Sequence, residues 1–269
     1  MPELPEVETV VRELKQNIVG KSIVKVDELR PDTVFHDFST LPEYGKVISV
    51  NRRGKYIIID TERNISLIVH LRMTGKLIIV NNEIPVTKHT RAIISFSDNT
   101  KLFFNDIRTF GTINIIPGKN KLKFFCKLGC EPFSDEFNTE HLATIFTRKK
   151  TPIKNLLLDQ NCIAGLGNIY ANEILYSCKI APNRPANILS KTELQLLIDK
   201  TREILTEAIK QNGTSISDFR RVDNKSGSFQ NFLQIYGKDV CCEGHPVKRI
   251  KSGGRPTFYC PECQKEDIE

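Results

Sequence analysis

The spacing of apolar residues changes part-way along this chain, and that change restricts it to an α+β architecture built in successive parts. Between Ser22 and Ile116 the apolar residues fall in short β-rich runs: SIVKVDEL, KVISVN, KYIIID, ISLIVHL, KLIIVN, RAIISF, KLFF and TINII. Turn signals such as Arg53-Gly54, Thr74-Gly75 and Asp98-Asn99 separate them. Seven or eight such strands predict a β-sandwich or flattened barrel. Ahead of them, Val7, Val10, Val11, Leu14 and Ile18 recur at helical spacing. That pattern predicts an amphipathic helix over 3–19, ended by Gly20 and packed on one edge of the sheet. Beyond the strands the period lengthens, with helices predicted over 138–149, 153–160 and 167–178. A further long helix opens at the capping box of Ser190 and Glu193, with Gly213 beyond its end. The domains read as a β-sandwich over 1–118, a linker over 119–131, a helical domain over 132–230 and a small module over 231–269. The polar stretch 214–230 reads as a mobile loop within the helical domain.

Charge and length narrow the partners without naming one. Lys+Arg 39 against Asp+Glu 32 gives a net charge of +7, a moderate basic excess that suits a polyanion. No run approaches the eighteen or more apolar residues of a membrane span. The N-terminus is acidic and polar, unlike a secretory leader. The expectation is therefore a cytosolic chain with reduced thiols, whose eight cysteines include metal ligands rather than disulfide pairs.

Four of those cysteines crowd the C-terminal end. Cys260-Pro261-Glu262-Cys263 is a knuckle of the kind that closes a tetrahedral zinc site. Upstream stand Cys241, Cys242 and His245. Adjacent cysteines seldom bind one ion together, so one of Cys241 and Cys242, with His245, is expected to complete the set. Four protein ligands would make the ion structural, since no position stays open for catalysis. The segment between the ligand pairs reads as a β-hairpin tip carrying Arg255 near Lys248, Arg249 and Lys251, which suits phosphate contact.

The first six residues, Met1-Pro2-Glu3-Leu4-Pro5-Glu6, carry a different kind of information. An initiator Met before a small residue is normally removed, which would leave Pro2 as a free secondary amine. An α-amino group, with a pKa of about 8, is roughly a tenth unprotonated at pH 7, far more than a lysine. Such an amine can attack an electrophilic carbon directly. Condensation with a sugar carbon would give an iminium, a strong electron sink. The same prolines also suit a first helical turn, so a purely structural role is equally open on these residues alone.

Taken together, the motifs resemble the formamidopyrimidine-DNA glycosylases. The resemblance rests on the segment Met1 to Val10, on Arg52-Arg53-Gly54-Lys55-Tyr56, on His70-Leu71-Arg72-Met73-Thr74-Gly75 and on Asp106-Ile107-Arg108-Thr109-Phe110-Gly111. It continues through Ile153 to Asp159, Ala164 to Glu173, Ile235-Tyr236-Gly237 and Gly254 to Cys260, and so covers essentially the whole chain. It implies a β-sandwich domain with a packed N-terminal helix, a helix–two-turn–helix domain carrying the loop that folds over an everted base, and a C-terminal β-hairpin zinc finger. By the same resemblance Pro2 is the nucleophile, Glu3 transfers protons at the sugar, Glu6 organises the N-terminus, and Lys55 and Arg255 assist at nearby phosphates. Met73, Arg108 and Phe110 would fill the space left by an extruded base. His70, His89, Lys154, Asn168, Tyr236 and Arg255 would contact the DNA. One structural zinc ion and no catalytic cofactor are implied. The partner would be double-stranded DNA containing oxidised bases, with no membrane, bound by a monomer in a bacterial-type cytoplasm.

Two departures from the family pattern stand out. Cysteine, cysteine and histidine replace the usual first pair of cysteines in the finger, and Arg91 occupies a position where the family more often has a histidine. Three rival functions are separable by experiment. The endonuclease VIII branch prefers oxidised pyrimidines, and Leu4 together with the segment Ala164 to Tyr170 favours the purine branch instead. A non-catalytic damage-binding protein would form no covalent adduct. An N-terminal-proline tautomerase would have no use for the zinc module.

Overall fold

The computed structural model describes residues 1–80, 85–214, 222 and 227–265. The chain divides into two compact units, residues 1–126 with 211–230, and residues 127–210 with 231–269. This division differs from the linear one anticipated above. The stretch 211–230 groups with the N-terminal unit, and the C-terminal module groups with the helices. Most of the loop expected over 214–230 lies outside the described residues.

The first unit opens with α1 (Leu4–Ile18), whose Pro5 sits in the first turn and whose end is followed by Gly20 at φ +89°. Nine strands follow among the described residues: β1 (Ser22–Glu28), β2 (Val34–His36), β3 (Gly45–Arg53), β4 (Tyr56–Thr61), β5 (Ile65–His70), β6 (Lys76–Val80), β7 (Thr90–Phe96), β8 (Lys101–Asn105) and β9 (Thr112–Pro117). They run in the order β2-β9-β5-β4-β3-β1-β7-β8-β6. The two halves join at β1 and β3 through only Ser22↔Lys46 and Ile23↔Gly45. Inward side chains from both halves, among them Val50, Leu67, Ile94 and Phe104, share one apolar cluster with Val7, Val10, Leu14 and Ile18 of α1. That is the packing of a two-layer sandwich with a helix at its edge. Each of these fully buried aliphatic side chains contributes about 1.5–3 kcal/mol, so α1 is held by its apolar stripe more than by propensity. The strand beyond the anticipated eight, β2, pairs in parallel with β9. The expected linker instead contains a helical turn at Gly118–Asn120 and a short helix, α2 (Lys121–Phe125).

The second unit holds α3 (Thr139–Phe146), α4 (Ile153–Leu158), α5 (Asn168–Ser177) and α6 (Lys191–Lys210). Tyr170 and Tyr176 of α5 are fully buried. The capping box at α6 is formed: the Ser190 N–H donates to Glu193 at 2.8 Å and the Glu193 N–H to the Ser190 hydroxyl at 3.2 Å. Glu193 also holds Arg184 at 2.5 and 3.3 Å. The chain closes in a hairpin, β10 (Lys248–Ser252) and β11 (Arg255–Tyr259), in register from Lys248↔Tyr259 to Ser252↔Arg255. Gly253 and Gly254, at φ +54° and +77°, make its two-residue turn.

Candidate active site and DNA-contacting residues

The N-terminal carboxylates are buried and engaged. Glu3 and Glu6 are 3% and 2% exposed, and Pro2 is buried beside them, whereas Met1 is exposed. Glu6 reaches back along the first turn, where its Oε2 accepts the Glu3 N–H at 2.8 Å. Its Oε1 accepts the Thr214 N–H at 2.7 Å. The neighbouring Gly213 is at φ +78°, and a Cβ there would stand 2.9 Å from the Glu6 side chain. A charged acceptor at this position also meets the partial positive charge of the helix N-terminus. Farther along α1, Glu8 pairs with Arg52 at 3.0 Å, and Arg52 donates to the Gly54 carbonyl at 3.1 Å. The tight β3–β4 turn that carries the buried Lys55 is thereby tied to the helix that carries Glu3 and Glu6.

His70 closes β5, opposite Tyr56 in register, with the two rings edge-on at 4.5 Å. It is buried, and burial, then the charges of Arg72 and Lys55, push its imidazole down to about 3. The neutral ring accepts the Arg72 N–H at Nδ1, 2.9 Å away, which leaves its proton on Nε2. His89 is half-buried, and its Nδ1 meets no partner among the described residues.

Met73 lies in the loop between β5 and β6, and Arg108 and Phe110 lie in the loop between β8 and β9. Met73 is 37% and Phe110 53% exposed, which excludes core packing for both. The Arg108 guanidinium lies 5.2 Å over the Phe110 ring.

In the second unit, Lys154 and Asn168 meet at one carbonyl. Lys154 Nζ donates to Pro256 O at 3.1 Å and to the Thr257 hydroxyl at 2.6 Å, while Asn168 Nδ2 donates to Pro256 O at 2.9 Å. Lys154 is wholly buried, an interior placement that was not expected of a phosphate contact. Arg255, next to this carbonyl, is exposed at the hairpin turn. The backbone N–H groups of Gln234, Ile235 and Tyr236 all donate to Glu173, at 2.8, 3.1 and 2.7 Å. Burial raises the Glu173 carboxyl pKa against the pull of those three bonds. The Tyr236 ring packs on Phe258 at 5.1 Å.

Cys241, His245, Cys260 and Cys263 form a cluster whose ligand atoms all lie within 4.8 Å of one another. Cys241 and Cys263 sulfurs are 4.0 Å apart, and His245 Nδ1 is 3.4 Å from Cys263 Sγ. A tetrahedral ion with metal–sulfur bonds of about 2.3 Å sets its sulfurs about 3.8 Å apart, so the geometry fits a metal ion. Cys242 is outside the cluster: it is exposed, and its sulfur lies 3.0 Å from the Tyr176 hydroxyl. Gln264 steadies the knuckle by accepting the Cys260 N–H at 2.9 Å and donating to Ile180 O at 2.9 Å.

Residues 1–113 match the family model for the formamidopyrimidine-DNA glycosylase N-terminal domain, and residues 128–220 match that for the H2TH domain. The formamidopyrimidine-DNA glycosylase of Pelotomaculum thermopropionicum is 40% identical over 98% of this chain and 99% of its own. That of Carboxydothermus hydrogenoformans is 41% identical over 98% and 100%. The chain belongs to the formamidopyrimidine-DNA glycosylase family. Among solved members of the family, a variant of the Lactococcus lactis enzyme bound to Fapy-dG-containing DNA superposes with a TM-score of 0.91. It is 38% identical over 98% of this chain and 100% of its own. The wild-type Lactococcus lactis enzyme, in complex with DNA containing an oxidised pyrimidine, superposes at 0.90 with the same identity and coverage. A third structure, MutM with DNA containing carbocyclic 8-oxo-G, gives 0.90 at 39% identity, over 98% and 100%.

Within this glycosylase fold, the sequence did not single out the carboxylates Asp106 and Glu173, and it marked Arg91 only as a departure from the family pattern. Asp106, Thr74 and Arg91 organise the loops of Met73 and Arg108, and Glu173 gathers the backbone around Tyr236. A buried carboxylate reads in sequence like any surface acid, and only its distant partners reveal it.

Proposed function

We propose that this chain is a bifunctional DNA glycosylase and abasic-site lyase that removes oxidised purines, 8-oxoguanine and formamidopyrimidines, from double-stranded DNA. The observation that carries the reading is Pro2 buried together with Glu3 and Glu6 at the head of α1. Removal of Met1 uncovers the Pro2 nitrogen, whose lone pair attacks C1′ of the everted nucleoside. The glycosidic bond breaks, and the base departs with a proton. Opening of the sugar ring, with a proton delivered to O4′ by Glu3, leaves an iminium joining Pro2 to C1′. Loss of a C2′ proton then expels the 3′ phosphate, and a second proton loss expels the 5′ phosphate. Water then hydrolyses the iminium, which frees Pro2 and releases the unsaturated sugar fragment, and the DNA is left with a one-nucleotide gap flanked by phosphates.

Glu6 fixes the N-terminus, and Lys55 meets a phosphate beside the lesion. Met73, Arg108 and Phe110 occupy the space vacated by the base, offsetting an unstacking cost of a few kcal/mol. His70, His89, Asn168, Tyr236 and Arg255 make up the remaining DNA contacts, while the wholly buried Lys154, expected as a direct contact, acts through the Pro256 backbone that it and Asn168 hold beside Arg255. Zinc is the ion for Cys241, His245, Cys260 and Cys263. It would fold the finger and, with four protein ligands, take no part in the chemistry. The enzyme acts as a cytoplasmic monomer, and no helix among the described residues is long and apolar enough to cross a membrane.

Borohydride trapping on a duplex containing 8-oxoguanine opposite cytosine, followed by peptide mapping of the adduct, tests the reading. The expected crosslink is at Pro2 in protein lacking Met1, and Pro2→Gly should abolish base release while sparing lesion binding. A crosslink elsewhere, or active enzyme retaining Met1, would overturn it. Faster excision of thymine glycol than of 8-oxoguanine would move the chain to the pyrimidine branch.

A further inference from the structure

We propose that Asp106 is a positioning residue that fastens the two void-filling loops into one probe, with Thr74 as the bridge between them. This rests on the glycosylase reading above. The loop over residues 71–75 presents Met73, and the loop over 106–111 presents Arg108 and Phe110. Nothing in the linear sequence joins them.

The joint is a small hydrogen-bonded core beneath both loops. Asp106 is 1% exposed. Its Oδ1 accepts the hydroxyl of Thr74 and, at 3.1 Å, the Arg108 N–H, while its Oδ2 accepts the Gly111 N–H at 2.8 Å. The Thr74 hydroxyl oxygen in turn accepts the Arg108 N–H at 3.0 Å. One side chain of the Met73 loop therefore bonds both to the carboxylate and to the backbone of the residue expected to enter the duplex. Burying a carboxylate without such donors would carry a large desolvation cost, so the bonds and the burial belong together.

Arg91 holds the same loop from its other side. Its Nε donates to the Asp106 carbonyl at 2.6 Å, and its terminal nitrogens donate to Lys88 O at 3.2 Å and Ile107 O at 3.4 Å. The residue that departs from the family pattern is thus a clamp on the loop of Arg108. Both loops also contain non-glycine residues in the left-handed region, Arg72 at φ +52° and Thr109 at +60°. For a β-branched residue such as Thr109 this conformation persists only where surrounding bonds impose it. Gly75 and Gly111 admit no side chain, since a Cβ would stand 2.4 Å from Leu71 O and from the Phe104 ring, respectively. The arrangement sets Met73, Arg108 and Phe110 in a fixed mutual register. Wedge and pairing surrogate then enter the vacated space together.

Thr74→Val removes the bridging hydroxyl at nearly constant volume and leaves Asp106 its backbone partners. Single-turnover excision of 8-oxoguanine from duplex should fall about tenfold, as expected of a reacting geometry that has loosened. Borohydride trapping on a single-stranded abasic oligonucleotide, which has no stacked void to fill, should stay at the wild-type rate. Thr74→Ser, which keeps the hydroxyl, should restore duplex excision. Arg91→Lys, with Thr74 intact, should show the same split between the two substrates and serves where Thr74→Val does not fold. Duplex excision unchanged in a folded Thr74→Val or Arg91→Lys variant overturns the proposal. So does an equal loss on both substrates. Failure of the wild-type protein itself to be trapped on the abasic strand would instead overturn the glycosylase reading.

Discussion

Glu6, in the first turn of the first helix, accepts the backbone N–H of Thr214 at 2.7 Å across 208 positions of sequence. Its second oxygen is taken by the N–H of Glu3, so one carboxylate fixes both the start of the chain and the point where the segment after α6 departs. Glu6→Gln would set an amide NH2 against one of these two N–H donors. Losing a buried bond to a charged acceptor costs about 1.5–3 kcal/mol. Amide hydrogen exchange at Thr214 should accelerate accordingly, and base excision should fall with it. Unchanged protection at Thr214 would contradict the coupling.

His70 gives the acid limb of stability a defined sign. Its folded-state pKa is lowered to about 3 by burial, then by Arg72 and Lys55, against about 6.5 in the unfolded chain. The unfolded state therefore takes up this proton first. The contribution of His70 is complete above pH 6.5 and is lost as the pH falls from there toward 3. His70→Asn should flatten the decline in stability between pH 6 and pH 4, as read by denaturant unfolding. The imidazole resonances of His70 in the wild-type protein should not shift between pH 8 and pH 5. A midpoint near 6.5 would sink this assignment.

The finger separates its two adjacent cysteines by geometry. Cys241 lies in the cluster with His245, Cys260 and Cys263, and Cys242 lies against Tyr176. Cys242→Ser should retain the full metal content measured by elemental mass spectrometry, while Cys241→Ser should lose it. Chelation of the wild-type protein should weaken DNA binding by unfolding the finger. Full affinity in a metal-free sample would refute a structural role for the ion.

Arg255 is exposed beside the Gly253-Gly254 turn, next to the carbonyl shared by Lys154 and Asn168. Arg255→Ala should weaken binding to damaged and undamaged duplexes alike, and lower the slope of log K against log salt by about one unit. A loss confined to damaged DNA would assign the residue to lesion recognition instead.

How far the sequence reached depended on the range of each interaction. Local periodicity located α1, eight strands and the four longer helices, because burial of a stripe leaves a repeating trace. It missed β2, three residues long, whose partner β9 begins at Thr112. It took Lys121–Phe125 for linker, since four lysines between 119 and 127 resemble a solvated connection. Ligand spacing brought the finger to a choice between two neighbouring thiols, and only their opposite directions from the backbone resolved it. Pro2, Glu3 and Glu6 were singled out because they adjoin one another in sequence. Asp106 and Glu173 were not, because their donors, the backbone N–H groups of Arg108, Gly111 and residues 234–236 and the Thr74 hydroxyl 32 positions away, leave no local side-chain pattern.

The close contact at Gly227 bears on how this family can vary. A Cβ at that position would stand 2.2 Å from Gly213 O and 2.4 Å from Asn212 O, and Ser228 N and Phe229 N bond back to Gln211 O and Gly213 O at 2.9 and 3.1 Å. The two backbone segments at the neck of the intervening stretch are thus held together at one spot. The entropy of closing such an insert grows only slowly with its length. Val222, buried in the apolar core with its N–H on Glu13 at 2.8 Å, pins the stretch to the β-sandwich a second time, so any change in its length has to keep that anchor.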